Sequence, residues 1–146
     1  MSMNRLTLAV AGVLACLAVL PVRAAERIQL IEHALTDATL DLGPKGDSVG
    51  DLLTFANPVF DASNKTRLGS DQGFCVRVVV GKSWECHWTL LLKDGQITVE
   101  GPFFDAGDSV LAIIGGTGKY NGARGSMKLH ARDANGSAYD FIYELL

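Results

Sequence analysis

Gly115-Gly116-Thr117-Gly118-Lys119-Tyr120-Asn121-Gly122-Ala123-Arg124-Gly125 places five glycines in eleven positions. Glycine supplies backbone angles that side chains forbid, and the density here predicts that such angles are needed. An apolar run at 110–114 precedes the stretch and an alternating one at 127–131 follows it. A segment of this kind either cradles a phosphate or bends one strand sharply into the next. The phosphate reading fails on spacing. A Walker loop needs a glycine five positions before its Gly-Lys pair and a Ser or Thr after it; Ile113 and Tyr120 stand there instead. The dinucleotide fingerprint fails at Asn121, where its third glycine belongs, and no helical period follows. The stretch therefore reads as a glycine-built corner between strands.

Working outward from that corner, strand signals recur along the chain and helical periodicity is nearly absent beyond residue 24. Residues 27–34 alternate weakly, and 52–59 form an apolar run containing Asn57-Pro58. Runs at 73–80 and 84–92 are joined by Gly81-Lys82-Ser83 as a hairpin. Lys93-Asp94-Gly95 turns into 96–100, while Asp133-Ala134-Asn135-Gly136 turns 126–132 into 138–145. About eight strands with short connections suit an up-and-down barrel or a sandwich. With no helix to cover a sheet edge, closure is favoured. The expected class is all-β, an eight-stranded antiparallel β-barrel.

The first 24 residues read as an address. Arg5 gives a positive start, residues 6–20 are almost wholly apolar, and Val22-Arg23-Ala24 supplies a cleavage pattern. The apolar run is short for a membrane span. Cys16 lacks the usual approach of a lipidation site. Residues 1–24 are thus expected to be a signal peptide and 25–146 one exported domain, periplasmic or secreted, with no membrane association after cleavage. Removing the leader takes two basic residues, Arg5 and Arg23, and no acid, leaving 11 basic against 16 acidic residues and a net charge of −5. That balance, without a basic cluster, argues against nucleic acid as a partner. Two cysteines remain, Cys75 and Cys86. In an exported chain an even pair is more often a disulfide than a metal site. Direct pairing across the hairpin requires a register centred near Val80-Gly81, slightly before the apparent turn. No CxxC occurs, and His33, His87 and His130 share no ligand spacing, so no metal site is expected.

Several longer segments carry a resemblance. Asp47-Ser48-Val49-Gly50-Asp51-Leu52-Leu53-Thr54-Phe55-Ala56-Asn57, continuing to Val59-Phe60-Asp61, resembles the second-strand region of allene oxide cyclases. So do residues 65–75, Ile97-Thr98-Val99-Glu100-Gly101-Pro102-Phe103, Asp108-Ser109 and the glycine corner through Leu129-His130. The corner also looks like that of plant dirigent proteins. The resemblance implies an eight-stranded barrel with a hydrophobic cavity, commonly trimeric. It further implies a cofactor-free isomerase or cyclase acting on a hydrophobic, oxygenated small molecule, or a related barrel that binds such a molecule or guides its coupling without catalysis. Matched by position, Glu32 would steer charge in an opening epoxide, Asn57 would hold a water at the epoxide oxygen, and Cys75 would face the cavity. Ala34 departs from the pattern, because the cyclases place a second water-holding asparagine there.

The residues themselves leave alternatives. Leu30, Glu32 and Ala34 share one face of a strand and Ile31 lies on the other, and alternation does not say which is inward. Asn57 before Pro58 also fits a purely conformational role. Cys86, Trp88 and Leu90 share one face, as do Tyr139, Phe141 and Tyr143; each set fits either core packing or a ligand wall, and Trp88, Phe141 and Tyr143 are the expected ligand contacts. Arg77 either shares the inward face of Cys75, to pair with Glu32 or a ligand carboxylate, or sits at a twist, a bulge or on the surface, the second fitting better. Asp105 with Asp108, and Lys119 with Arg124, fit solvated loops better than acid-base or anion-binding work.

Overall fold

A computed structural model describes residues 25–146, all of β and loop structure; the expected signal peptide lies outside the described residues. Nine strands follow in order: β1 (Glu26–His33), β2 (Ala38–Leu40), β3 (Leu52–Asp61), β4 (Arg67–Val79), β5 (Ser83–Leu92), β6 (Gly95–Phe104), β7 (Ser109–Gly118), β8 (Gly125–Ala131) and β9 (Ala138–Leu145). Every pairing is antiparallel, from β1 through β9 and back down to β3. The additional β1–β3 pairing, Leu30 to Asp61 through Glu32 to Val59, closes eight strands into a barrel and leaves β2 as a short ribbon on β3. Closure removes the open edges that a helix would otherwise cover.

The glycine stretch is half strand and half corner. β7 continues through Gly118, and the chain turns at 119–124. Ile114 is the extra residue of a bulge opposite Thr98 and Val99. Gly115 and Gly116 keep ordinary angles, whereas Gly118 and Gly125 have φ of 59° and 138°. A Cβ on Gly125 would lie 2.0 Å from the Glu144 carbonyl oxygen of β9, so both angle and space demand glycine there. β4, β6 and β7 extend beyond the apolar runs because backbone pairing continues through Gly69, Gly101-Pro102 and Gly115 to Gly118. The expected hairpin register is also explained. Cys75 pairs with Cys86, and a bulge between Arg77 and Val79 moves the turn past that register's centre.

Alternation fills the interior. Leu90, Ile97, Val99, Met127 and Tyr143 are fully buried. Each buried Leu or Ile side chain contributes roughly 1.5–3 kcal/mol relative to exposure. Between the end of β2 and the point where β1 joins, β3 has no strand partner on one side. Pro58, which has no N–H to satisfy, lies in this gap.

Candidate functional site

The gap in the wall is bridged by a side chain instead of a strand. Asn57 Oδ1 accepts from the Leu35 and Thr36 backbone N–H groups, both at 2.9 Å, and from Thr36 Oγ1 at 3.1 Å. Thr36 Oγ1 in turn accepts from the Ala56 N–H at 2.7 Å, tying the 34–37 loop to β3. The Asn57 Nδ2 group donates to Asp37 Oδ1 at 2.7 Å and also to Glu32 Oε1. Both amide hydrogens and the carbonyl of Asn57 are therefore used within the protein.

β1 carries Glu32 to the same place. Leu30, Ile31 and Glu32 are all buried, Glu32 to 3% exposure, so both faces of the strand are covered and alternation had no contrast to read. Glu32 Oε2 has no hydrogen-bond partner. Burial pushes the Glu32 carboxyl up to about 9, the Asp71 charge adds to this, the Asn57 hydrogen bond opposes it, and Asp37 adds again. At neutral pH Glu32 is accordingly a neutral acid with a proton to donate. Asp71, which faces Asn57 across the β3–β4 ladder, is fully buried with neither oxygen in an aligned hydrogen bond. Burial pushes its carboxyl up to about 7 against the pull of the Asn57 and Asp71 backbone amides, with a smaller push from Asp37. Asp71 is the residue that the sequence reading missed. It lies in the polar stretch Gly69-Ser70-Asp71-Gln72-Gly73, which resembles a loop, yet counting back by twos from Cys75 would have placed it inward.

Glu32 lines a pocket of about 90 Å³ with Asp37, Trp88, Phe55, Phe141 and the Cys75–Cys86 pair. Trp88 stacks on Phe141 with centroids 5.7 Å apart, and Phe55 meets Trp88 edge-on at 6.0 Å. The two cysteines are joined as a disulfide in the pocket wall, so Cys75 presents no thiol. Tyr143 stands outside the pocket wall, fully buried, edge-on to Phe141 at 6.5 Å. Its phenol is pushed well up by burial, with the Trp88 indole N–H beside it pulling the other way. Ala34 contributes its backbone N–H to Ser137 and has no side-chain donor.

The remaining candidates lie elsewhere. Arg77 is buried, not at the surface, and does not reach Glu32. Its Nη1 donates to both oxygens of Asp105 at 2.7 and 2.8 Å, its Nε lies 2.6 Å from Asp47, and its guanidinium sits 4.0 Å from the Trp84 ring centre. Asp105 is thus a structural counter-ion and not a freely solvated loop acid. Asp108 pairs with Lys128 and His130, each at 2.6 Å. Lys119 pairs with Glu26 at 2.6 Å. No group of three or more His, Cys, Asp or Glu side chains with metal-binding geometry occurs among the described residues.

The family model described as allene oxide cyclase matches residues 31–133. Among solved structures, a pyocyanin demethylase is 24% identical with a TM-score of 0.68, the match covering 81% of this chain and all (100%) of that one. A pterocarpan synthase dirigent protein is 14% identical with a TM-score of 0.68, covering 86% of this chain and 96% of its own. An exo-specific intermolecular Diels-Alderase is 16% identical with a TM-score of 0.66, covering 84% and 98% respectively. At these identities the likenesses establish the shared barrel.

Proposed function

The chain belongs to the allene oxide cyclase family, and from that premise we propose that it is an exported, cofactor-free cyclase- or isomerase-like barrel acting on a hydrophobic, oxygenated small molecule. One observation carries the reading: Glu32, a buried, neutral carboxyl with one oxygen lacking a hydrogen-bond partner, lines an aromatic pocket. The pocket walls hold the ligand in a conformer ready to close, which lowers the entropic part of the barrier. The Glu32 carboxyl then donates to the ligand oxygen as negative charge develops on it. Asn57, with its hydrogen bonds committed to Glu32 and the 34–37 loop, is a positioning residue. It fixes the Glu32 rotamer instead of holding a water. The Cys75–Cys86 disulfide supports export, since such bonds persist in oxidising compartments.

A second reading is favoured by Ala34 and by the small pocket: a barrel that binds or orients such a molecule without transforming it. The test isolates whatever ligand co-purifies with the mature protein, by native mass spectrometry, and follows its fate with wild type and Glu32→Gln. General-acid action predicts a loss of roughly 10²–10⁴-fold in turnover for the variant. Equal turnover by both proteins overturns the catalytic role of Glu32. An intact ligand that neither protein changes supports the binding reading.

A further inference from the structure

Asp71 is a buried acid that the proposed reaction leaves unused. It is fully buried, and neither of its carboxyl oxygens has a hydrogen-bond partner. Asp71 and Asn57 are direct partners on the β3–β4 ladder and both are buried, so their side chains share the inward face. Glu32 meets Asn57 from the β1 side through its Oε1. Asn57 therefore joins two carboxyls in one apolar interior. Asp37 from the 34–37 loop acts on both, and Tyr139 and Tyr143 of β9 face Glu32, Tyr143 facing Asp71 as well. No Lys, Arg or His is among the groups that set either carboxyl. Arg77, a buried cation, is held by Asp47 and Asp105 instead.

The hydrogen bonds fix where the Glu32 proton sits. Asn57 Oδ1 is held by the Leu35 and Thr36 backbone N–H groups, so the amide has one orientation and its Nδ2 faces Glu32. Glu32 Oε1 is thus an acceptor, and the proton of the neutral acid is on Oε2, which no acceptor in the protein holds. Two carboxyls in one interior without a cation resist ionising together, and whichever ionises first raises the cost for the other. Asp71 is placed to ionise first. The Asn57 and Asp71 backbone amides both favour its charged form, and the Tyr143 O–H and Trp88 N–H are buried donors without partners in the same interior. Glu32 has one such support, the Asn57 side-chain amide. We infer that Asp71 is a positioning residue for Glu32: ionised first, it supplies a buried negative charge beside Asn57 that keeps the proton on Glu32 Oε2. The inference rests on Glu32 being the acid of the proposed reaction, and adds the group that holds it in its acidic form. Without the Asp71 charge, burial alone would hold the Glu32 proton, and it would leave at lower pH.

Carbon-detected NMR titration of both carboxyls in the mature wild type, Asp71→Asn and Asp37→Asn tests the inference without a ligand. In wild type Asp71 is expected to ionise before Glu32. Asp71→Asn keeps the shape and removes the charge, and is expected to lower the Glu32 midpoint by about one pH unit. Asp37→Asn, at an exposed rim position, is expected to lower it less, because solvent screens that charge. A Glu32 midpoint unmoved by Asp71→Asn, an equal shift from Asp37→Asn, or Glu32 ionising before Asp71 in wild type overturns the inference. The order of ionisation is read in wild type, so it decides the question even where Asp71→Asn does not fold. Equal turnover by wild type and Glu32→Gln would remove Glu32 from the chemistry and leave this coupling as measured, so the two failures are told apart.

Discussion

At the scale of single residues, Glu32 and Asp71 set how the protein responds to pH. Their carboxyls are raised to about 9 and about 7, so at intermediate pH the folded chain keeps protons that the unfolded chain has released. The stability tied to them is fully present below the ordinary carboxyl range and is lost as pH rises through those two values. Asp51 and Asp61, held down by backbone N–H donors, act oppositely and lose their contribution as pH falls. Glu32→Gln removes one of the raised groups. Urea unfolding between about pH 5 and 9 should show the variant losing stability less steeply than wild type, by up to about 1.4 kcal/mol per pH unit; an identical slope contradicts the burial of an acid here. Asn57→Ala strips the acceptor from Leu35 and Thr36 and the donor from Glu32 and Asp37, and should cost about 2–4 kcal/mol of stability with faster proteolysis in the 34–37 loop. A loss under about 0.5 kcal/mol would show that the loop is anchored otherwise. Of this site the sequence displayed Asn57 and Glu32 only through likeness to a family. Neither the orientation of Glu32 nor the presence of Asp71 could be read locally, because Ile31 is as buried as its neighbours and Asp71 sits between glycines in a polar run.

At the scale of elements, the hairpin of β4 and β5 was the most legible part. Its two apolar runs alternate, and the required cysteine register was visible before the bulge that permits it. The ends of strands were not legible. β6 and β7 continue through glycine and proline, since ladder bonding in a closed sheet depends on backbone neighbours and not on side-chain character. The disulfide, with a sequence separation of 11, constrains the unfolded hairpin. Replacing both cysteines with alanine should lower stability by about 2–3 kcal/mol, measured by urea unfolding, and make the protein indifferent to reductant. A reductant effect that persists in the double variant would contradict the assignment. In the corner, Gly125→Ala meets both an unfavourable angle and the Glu144 carbonyl. A loss of about 2–4 kcal/mol is expected, whereas Gly115→Ala, with ordinary angles and open space, should be nearly silent.

As a whole, the molecule is a closed barrel with an unpaired gap in its wall, between the β2 and β1 pairings on β3, and with an acid kept out of water in its interior. The barrel class followed from strand spacing and the lack of helix. The gap did not, because it arises where β2 ends before β1 begins to pair with β3, a consequence of three-dimensional register. Pro58 marks it in retrospect, since a proline is tolerated where no ladder hydrogen bond is lost. Trimeric assembly, expected from the resemblance, is a proposal that light scattering on the mature protein would decide. The central claim concerns the acid inside. Carbon-detected NMR titration of the Glu32 side-chain carboxyl reads it directly: the account predicts a midpoint near 9, and a midpoint near 4.5, the ordinary carboxyl value, would show that Glu32 meets water and contradict it.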